Sequence, residues 1–213
     1  MNSDKPYWDM DIEPLFNTPE MGKIQLDKLK KMMARLNADA PFYTRQFKER
    51  GFDPEKIRSF DEYKEKIPMF DKAALRELVT ECGNDILKAL DQIMPVSVTD
   101  LDYIATTTGT TGIPTPYPLT LNDIHNVWGE VMSRGAWRAG IRPTDSILYC
   151  FALSMVIAGV PSMMAIQKMG ATMLPVGAEA KSERILIMQR LFKGTVYMGT
   201  PSLAEYLIEQ APK

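Results

Sequence analysis

Two different rhythms of hydrophobic and polar residues divide the chain near residue 95. Over residues 18–90, apolar side chains recur every three or four positions among many charged ones, which is the pattern of amphipathic helices. The clearest apolar face comprises Met21, Ile24, Leu26, Leu29, Met32, Met33 and Leu36. Pro41 opens a further short segment, and a last helix of this part is expected at about 72–79. The pattern predicts a mainly helical region over residues 1–95.

After about Pro95 the pattern changes to short apolar strands that alternate with helices. The predicted strands are 102–105, 146–151, 171–174 and 195–198, and the predicted helices are 121–139, 155–169, 182–192 and 201–210. The apolar face of the first of these helices is predicted to contain Ile124, Val127, Trp128, Val131, Met132 and Ala136. Strand–helix units of this length form parallel sheets covered by helices. The predicted fold class is therefore α/β, with a mainly parallel sheet over residues 96–213.

Composition excludes several classes of protein. The net charge of −2 provides no general attraction to nucleic acid or anionic lipid, and no apolar stretch approaches the roughly 20 residues of a membrane span. The first residues lack the pattern of a secretion signal, and two widely separated cysteines, Cys82 and Cys150, are typical of a reducing compartment. A single histidine, His125, argues against a multi-histidine metal site, and no metal ligand is predicted. We expect a cytoplasmic protein.

The least ordinary stretch is the segment 106–112, which reads Thr-Thr-Thr-Gly-Thr-Thr-Gly and follows the first predicted strand. Ligands of parallel sheets bind where strands end. Glycine allows the backbone to approach a ligand closely, so that neighbouring N–H groups converge on an anion, and threonine hydroxyls add further donors. Neither the P-loop pattern nor the dinucleotide pattern GxGxxG is present. The residues predict a phosphate-binding loop, while a threonine-rich surface turn or a β-hairpin is the alternative.

The loop and its surroundings resemble the adenylate-forming superfamily of acyl- and aryl-CoA ligases. Residues 107–115 fill the signature S/T-S/T-G-T-T-G-x-P-T of that superfamily. Other segments are similar to the phenylacetate-CoA ligase branch, in the same order along the chain. They include Ala-Pro-Phe-Tyr at 40–43, Gly-Ile-Arg-Pro-Thr-Asp at 140–145 and Gly-Thr-Pro-Ser at 199–202. The resemblance covers most of the chain, but less than half the length typical of such a ligase.

Ligases of this superfamily join a carboxylate to ATP, which gives an acyl-adenylate and pyrophosphate, and coenzyme A then displaces AMP. The resemblance implies that the chain is the amino-terminal part of such an AMP-forming acid–thiol ligase, which uses ATP, Mg²⁺ and coenzyme A. The residues that would hold the β- and γ-phosphates are Thr107, Thr108, Gly109, Thr110, Thr111 and Gly112. No catalytic side chain is assigned, because the substrate carboxylate is itself the nucleophile. The lid with the catalytic lysine of the relatives would follow Lys213.

The same resemblance assigns Phe151 and Met155 to an acyl or aryl pocket, with ordinary core positions as the alternative. Ile113 stands where many relatives carry a lysine, so a cation beside the departing pyrophosphate is missing. The expected partner is a small carboxylic acid, aromatic by analogy with the phenylacetate ligases. Nucleic acid and membranes are not expected, and a homodimer is a further possibility.

Two other functions stay open at the level of the sequence. One is a non-catalytic domain that binds phosphate, a nucleotide or a partner protein. The other is an adenylating enzyme similar to the coenzyme F390 synthetases, which activate a phenolic cofactor. Since the relatives' adenine, ribose, magnesium and lid elements would follow Lys213, the 213 residues alone are expected to be inactive.

Overall fold

The computed structural model describes residues 5–67, 70–107 and 114–211. The chain packs into two compact units, one formed by Pro14–Leu101 and the other by Met1–Glu13 together with Asp102–Lys213. We call them the helical unit and the α/β unit. Helices precede a parallel sheet, and the predicted fold class is confirmed. The predicted domain boundary at residue 95 stays a prediction, because the two units are groups of residues that pack together and are not established domains.

The helical unit contains five α-helices among its described residues. They are α1 (Pro19–Asp39), α2 (Pro41–Glu49), α3 (Phe60–Lys66), α4 (Lys72–Glu81) and α5 (Ile86–Ile93), and short 3₁₀ turns lie at Glu13–Leu15, Pro54–Lys56 and Val98–Asp100. Polar side chains start four of the helices by accepting hydrogen bonds from first-turn N–H groups. These capping residues are Thr18, Ser59, Asp71 and Asp85. The unit is thus assembled largely from local signals.

A buried cluster joins α1 and α2 to the connection that follows α2. It contains Met33 of α1, Phe47 of α2, and Phe52 and Ile57 from the connection that follows α2. The predicted helix α1 is confirmed, and its Leu26, Leu29 and Leu36 pack against this cluster. Met32, which the pattern placed on the same apolar face, is exposed. The apolar face of α1 is therefore narrower than the pattern predicted.

The α/β unit contains five strands and four α-helices among its described residues. In chain order they are β1 (Tyr103–Thr106), β2 (Pro116–Leu119), α6 (Gly129–Arg138), β3 (Ser146–Tyr149), α7 (Val160–Gln167), β4 (Thr172–Pro175), α8 (Ser182–Phe192), β5 (Val196–Met198) and α9 (Pro201–Gln210). The parallel sheet has the strand order β4-β3-β5. Its central strand pairs Leu148 with Leu174 on one side and with Tyr197 on the other.

Helices cover both faces of this sheet. On one face Ile147 and Tyr149 of β3 share a buried cluster with Trp137 of α6 and Ile166 of α7. On the opposite face Leu148 and Cys150 share another cluster with residues of α8 and α9. Successive strand residues point to opposite faces, so a strand covered on both sides is apolar at every position. The layers explain the continuous apolar run that was predicted as a strand.

The first two strands correct the predicted sheet. β1 pairs with β2 in an antiparallel hairpin, in which Ile104 lies opposite Pro118 and Thr106 opposite Pro116, and β1 does not join the parallel sheet as a full strand. The connection is shorter than the dozen or so residues that a parallel crossover needs. Thr107 N–H donates to the Thr115 carbonyl. In this register the backbone N–H and C=O groups of the odd-numbered residues of β2 point towards β1, and the backbone nitrogens of the two prolines point away from it. This arrangement explains why two prolines are tolerated in β2.

The helix predicted at 121–139 is also different in detail. Its residues Asp123–Trp128 form a π-helix that precedes α6, and the Gly129 N–H donates to the Ile124 carbonyl, five residues earlier. Because this π-helical turn contains more residues than an α-helical turn, the next buried residue after Ile124 is Gly129. Val127 and Val131 are therefore 52% and 65% exposed, and their predicted place on the buried face is wrong.

Other boundaries also differ from the prediction, and two of them lie at the candidate site. Helix α7 begins at Val160, five residues after its predicted start, because the preceding segment is bonded to the β1–β2 hairpin. Strand β3 ends at Tyr149 and not at Phe151. In contrast, α8 and α9 begin and end where they were predicted. Across the described part of the chain, no helix is long and apolar enough to cross a bilayer.

Candidate phosphate- and acyl-binding site

The candidate site lies in the α/β unit, where the parallel strands end. A loop at 150–159 follows β3, and we call it the β3–α7 loop. It is bonded to the segment after β4, since Ala178 N–H donates to the Phe151 carbonyl at 3.2 Å and Leu153 N–H donates to Glu179 Oε1 at 2.9 Å. Loops at this edge of a parallel sheet are the usual place for a ligand.

The predicted phosphate loop lies in the sequence between β1 and β2. Of its assigned residues, Thr107 is described, and Thr108, Gly109, Thr110, Thr111 and Gly112 lie outside the described residues, as does Ile113. Thr107 N–H donates to the Thr115 carbonyl at 3.0 Å, and Thr115 N–H donates to Thr107 Oγ1 at 3.3 Å. The flanking strands match the hairpin alternative in geometry. Phosphate binding by this segment stays a prediction.

The end of β1 that leads into the predicted phosphate loop is bonded to the β3–α7 loop. Thr106 N–H donates to the Met155 carbonyl at 2.6 Å, and Thr106 forms a parallel bridge with Val156. The structure therefore brings two predicted site segments together, since Thr107 directly follows Thr106 and Met155 belongs to the predicted pocket. The link runs through the backbone of Met155, whose side chain is 54% exposed.

Phe151 has different surroundings from Met155. Its ring is half-buried and packs against the cluster of Ile147 and Tyr149, with its centroid 5.6 Å from that of Tyr149. An aromatic side chain here stands where β3 passes into the loop. The position is compatible both with a pocket wall and with the alternative of an ordinary core residue, and the pocket assignment of Phe151 and Met155 stays a prediction.

Sequence reasoning missed the residues that shape the β3–α7 loop. Tyr149 is buried and donates its hydroxyl to the Ala158 carbonyl at 2.5 Å. Burial raises the pKa of Tyr149 to about 12, so the hydroxyl keeps its proton at neutral pH. Ser162 Oγ donates to the Ile157 carbonyl at 2.7 Å. The available signal was a tyrosine at the end of an otherwise apolar strand, because a buried hydroxyl needs a partner.

Gly159 is the other missed residue of this loop. A Cβ atom at this position would collide with the Ala152 carbonyl oxygen and lie only 3.0 Å from those of Ser154 and Val156. The loop therefore winds so closely around Gly159 that only a residue without a side chain fits. The sequence contained a hint in the Gly-Val-Pro run at 159–161, since proline is favoured in the first turn of a helix.

Cys150 follows Tyr149 at the end of β3, and its backbone joins two strands. Its N–H donates to the Met198 carbonyl at 2.7 Å, which extends the pairing of β3 with β5. Burial raises the pKa of the Cys150 thiol to about 11. The thiol therefore stays protonated and is a packed core group rather than a nucleophile.

No protein-family model matches the chain. Among curated proteins, the phenylacetate-coenzyme A ligase of Escherichia coli (strain K12) is 28% identical over 192 residues, which cover 90% of this chain and 41% of that protein. The phenylacetate-coenzyme A ligase of Thermus thermophilus is 27% identical over 190 residues, which cover 89% of this chain and 40% of that protein. The chain thus spans less than half the length of these relatives.

Solved structures give the same relationship. The structure of 2-hydroxyisobutyryl-CoA ligase in complex with 2-HIB-AMP and CoA in the thioesterification state matches with a TM-score of 0.81 and 26% identity, over 97% of this chain and 42% of that chain. An open conformation of the same ligase matches with a TM-score of 0.80 and 25% identity. The chain is thus similar to phenylacetate-CoA ligases along about nine tenths of its length, and it shares the fold of a solved adenylate-forming CoA ligase.

Proposed function

We propose that the complete protein is an ATP-dependent, AMP-forming CoA ligase and that this chain supplies its phosphate loop. The observation that carries the proposal is that the threonine–glycine segment 107–112 directly follows Thr106, whose N–H is bonded to the β3–α7 loop. The solved relatives support it, because the matching 2-hydroxyisobutyryl-CoA ligase was captured with 2-HIB-AMP and CoA.

The proposed reaction has two steps. The carboxylate of the acid attacks the α-phosphorus of ATP and expels pyrophosphate, and the thiol of coenzyme A then attacks the acyl carbon and expels AMP. Preorganised N–H and hydroxyl donors in the loop would stabilise the negative charge that accumulates on the departing pyrophosphate. Thr107 can take part, because its hydroxyl accepts a bond from Thr115 N–H and still has its own proton to donate.

The prediction of Mg²⁺ rests on the resemblance. Among the described residues, no group of three or more His, Cys, Asp or Glu side chains could hold a metal ion. No step is therefore assigned to a metal on side chains of this chain, and Mg²⁺ is proposed only as the usual companion of ATP.

The proposed substrate is a small carboxylic acid, and an aromatic one is favoured by the phenylacetate ligases among the relatives. Phe151 and Met155 are proposed to contribute to the pocket, because both lie on the β3–α7 loop beside the base of the phosphate loop. A homodimer and a cytoplasmic location stay predictions. The relatives do not favour the non-catalytic domain or the coenzyme F390 synthetase-like enzyme, since each relative cited above is named as a CoA ligase.

The test is ATP–pyrophosphate exchange by the full-length protein, measured with a panel of aromatic and short-chain acids. Thr110→Ala should lower kcat/KM for ATP about 5- to 150-fold, equivalent to about 1–3 kcal/mol of transition-state stabilisation. Gly109→Val should lower it further, because a branched side chain obstructs the phosphate and opposes positive φ. Ile113→Lys should leave activity unchanged or raise it, since it restores the cation of the relatives.

Thr80→Ala is the matched control, because Thr80 is an exposed threonine of α4 in the helical unit and should leave the ATP kinetics unchanged. If Gly109→Val and Thr110→Ala both retain wild-type ATP kinetics, the segment is a surface hairpin and the proposed phosphate loop is wrong. The 213-residue chain assayed alone should give no exchange, as the resemblance implies.

A further inference from the structure

Tyr149 combines complete burial with a polar group that the proposed reaction does not use. Its relative exposure is 0%, and its hydroxyl donates to the Ala158 carbonyl at 2.5 Å and lies 3.3 Å from the Gly159 carbonyl. Tyr149 is the last residue of β3, whereas Ala158 and Gly159 immediately precede α7. The bond therefore ties the two ends of the β3–α7 loop together.

The middle of the same loop contacts the hairpin. The Met155 carbonyl accepts the Thr106 N–H at 2.6 Å, and Val156 forms the parallel bridge with Thr106. The next residue, Thr107, closes the hairpin through its N–H bond to the Thr115 carbonyl. A continuous series of bonded segments thus runs from the Tyr149 hydroxyl to the first residue of the proposed phosphate loop.

The shape of the β3–α7 loop depends on bonds of this kind. The segment 150–155 belongs to no helix or strand, so regular backbone pairing does not define its path. Close packing around Gly159 leaves no room for a side chain, and Gly159 N–H donates to the Val156 carbonyl at 2.8 Å. The Tyr149 hydroxyl satisfies the Ala158 carbonyl beside this tight turn, and its loss would leave a buried carbonyl without that partner.

We propose that Tyr149 is a positioning residue for the phosphate loop, because its hydroxyl holds the β3–α7 loop in the conformation that presents the Met155 carbonyl to Thr106. The importance of this role for catalysis rests on the proposed function, but the coupling itself does not. The coupling depends on the Tyr149 hydroxyl and not on the ring, because the ring of a phenylalanine would fill the same core position between Ile147 and Phe151.

The first experiment compares Tyr149→Phe with Tyr197→Phe in the 213-residue chain. Tyr197 is the matched control, because it lies on the neighbouring strand β5 and its hydroxyl donates to the Thr200 carbonyl at 3.2 Å, at the start of α9. Site-resolved amide hydrogen exchange at Thr106 and Thr107 should be about 5- to 10-fold faster in Tyr149→Phe, as expected for the loss of one hydrogen bond. Tyr197→Phe should leave both amides unchanged.

The second experiment measures the affinity of the same chains for inorganic pyrophosphate. Tyr149→Phe should raise the Kd about 3- to 10-fold, whereas Tyr197→Phe should not change it, even where thermal unfolding shows both variants to be equally destabilised. A purely structural role would lower the Tm of Tyr149→Phe without a selective change in exchange or Kd. If Tyr149→Phe does not fold, Ser162→Ala replaces it, because Ser162 Oγ holds the Ile157 carbonyl of the same loop.

The results separate the two proposals. Unchanged exchange at Thr106 and Thr107 in Tyr149→Phe, or in Ser162→Ala if that variant is used, would overturn the positioning role. An unchanged Kd in a wild-type chain that does bind pyrophosphate would overturn it as well. If the wild-type chain binds no pyrophosphate but the amides respond as expected, the coupling stands, and the exchange assay of the full-length protein with Thr110→Ala and Gly109→Val decides the proposed phosphate loop.

Discussion

The helical unit and the α/β unit are stabilised over different distances along the chain. In the helical unit, Asp85 starts α5 by accepting bonds from Leu87 and Lys88, only two and three residues further on. In the α/β unit, Thr106 donates to Met155 and Cys150 donates to Met198, and each bond joins separate strands or loops. The first kind of bond forms wherever the local sequence allows it, whereas the second forms only when the fold has assembled.

The two units also distribute their buried residues differently. Among its described residues the helical unit has one buried cluster, in which the rings of Phe47 and Phe52 lie 4.9 Å apart in an edge-to-face arrangement. The α/β unit has separate clusters on the two faces of its sheet. A single truncation should therefore affect the helical unit most, while the α/β unit should be most sensitive to changes at its loops.

The largest effect is expected for Phe47→Ala. Phe47 is buried in the only cluster found among the described residues of the helical unit, and its truncation should lower the free energy of unfolding by about 3–5 kcal/mol. Far-ultraviolet circular dichroism during urea unfolding follows the helices of both units, while the fluorescence of Trp8, Trp128 and Trp137 reports on the α/β unit alone. Phe16→Ala is the control, because Phe16 is exposed and should cost less than about 0.5 kcal/mol. Equal effects of both variants would contradict the single-cluster account.

The next effect concerns a glycine of the α/β unit. Gly159→Ala should lower the free energy of unfolding by about 1–3 kcal/mol, because the added methyl collides with the Ala152 carbonyl oxygen and crowds those of Ser154 and Val156. The same substitution at Gly135, in α6, meets no atom within 4 Å and should raise stability by up to about 1 kcal/mol, since alanine favours a helix. Thermal and urea unfolding of the two variants should therefore shift in opposite directions. A shift in the same direction would show that the β3–α7 loop can relax.

A smaller effect is expected for the cap of α5. Asp85→Ala should destabilise the helical unit by about 1 kcal/mol, because two N–H groups of the first turn lose their acceptor. Asp85→Asn should recover most of this loss, since its amide oxygen can accept the same bonds. Circular dichroism during thermal unfolding provides the measurement. Equal stabilities of the alanine and asparagine variants would argue that the start of α5 is defined by packing instead.

The smallest effect on stability, but a clear chemical difference, is expected for the two cysteines. Burial raises the pKa of Cys150 from 9.0 to about 11, so at pH 8 its thiolate population should be about 100-fold below that of an unperturbed thiol. Cys82, in the helical unit, is only partly buried. A thiol reagent at pH 8 should therefore modify Cys82 quickly and Cys150 only after denaturation. Cys82→Ser should abolish the fast reaction, and retention of it would mean that β3 opens readily.

Helices that depend on local signals were predicted more accurately than elements whose bounds depend on long-range bonds. Helices α8 and α9 were predicted with their observed bounds, because Ser182 and Pro201 are suited to the first turn and the apolar spacing continues to the end of each helix. The start of α7 could not be predicted in this way. The residues from Met155 are apolar enough for a helix, but the hairpin binds the backbone of Met155 and Val156 in an extended path.

The sequence by itself determined the strand–helix order after residue 120, the capped helices and the identity of the threonine–glycine loop, because each depends on residues that are neighbours in the chain. It also located Thr107, Phe151 and Met155 as candidate site residues. Only the tertiary structure decided that β1 pairs antiparallel with β2, that a π-turn displaces Val127 and Val131 to the surface, and that Tyr149 and Gly159 shape the loop beside the site. Those outcomes depend on which backbone groups and carbonyl oxygens meet after folding, and no spacing within a single segment encodes such encounters.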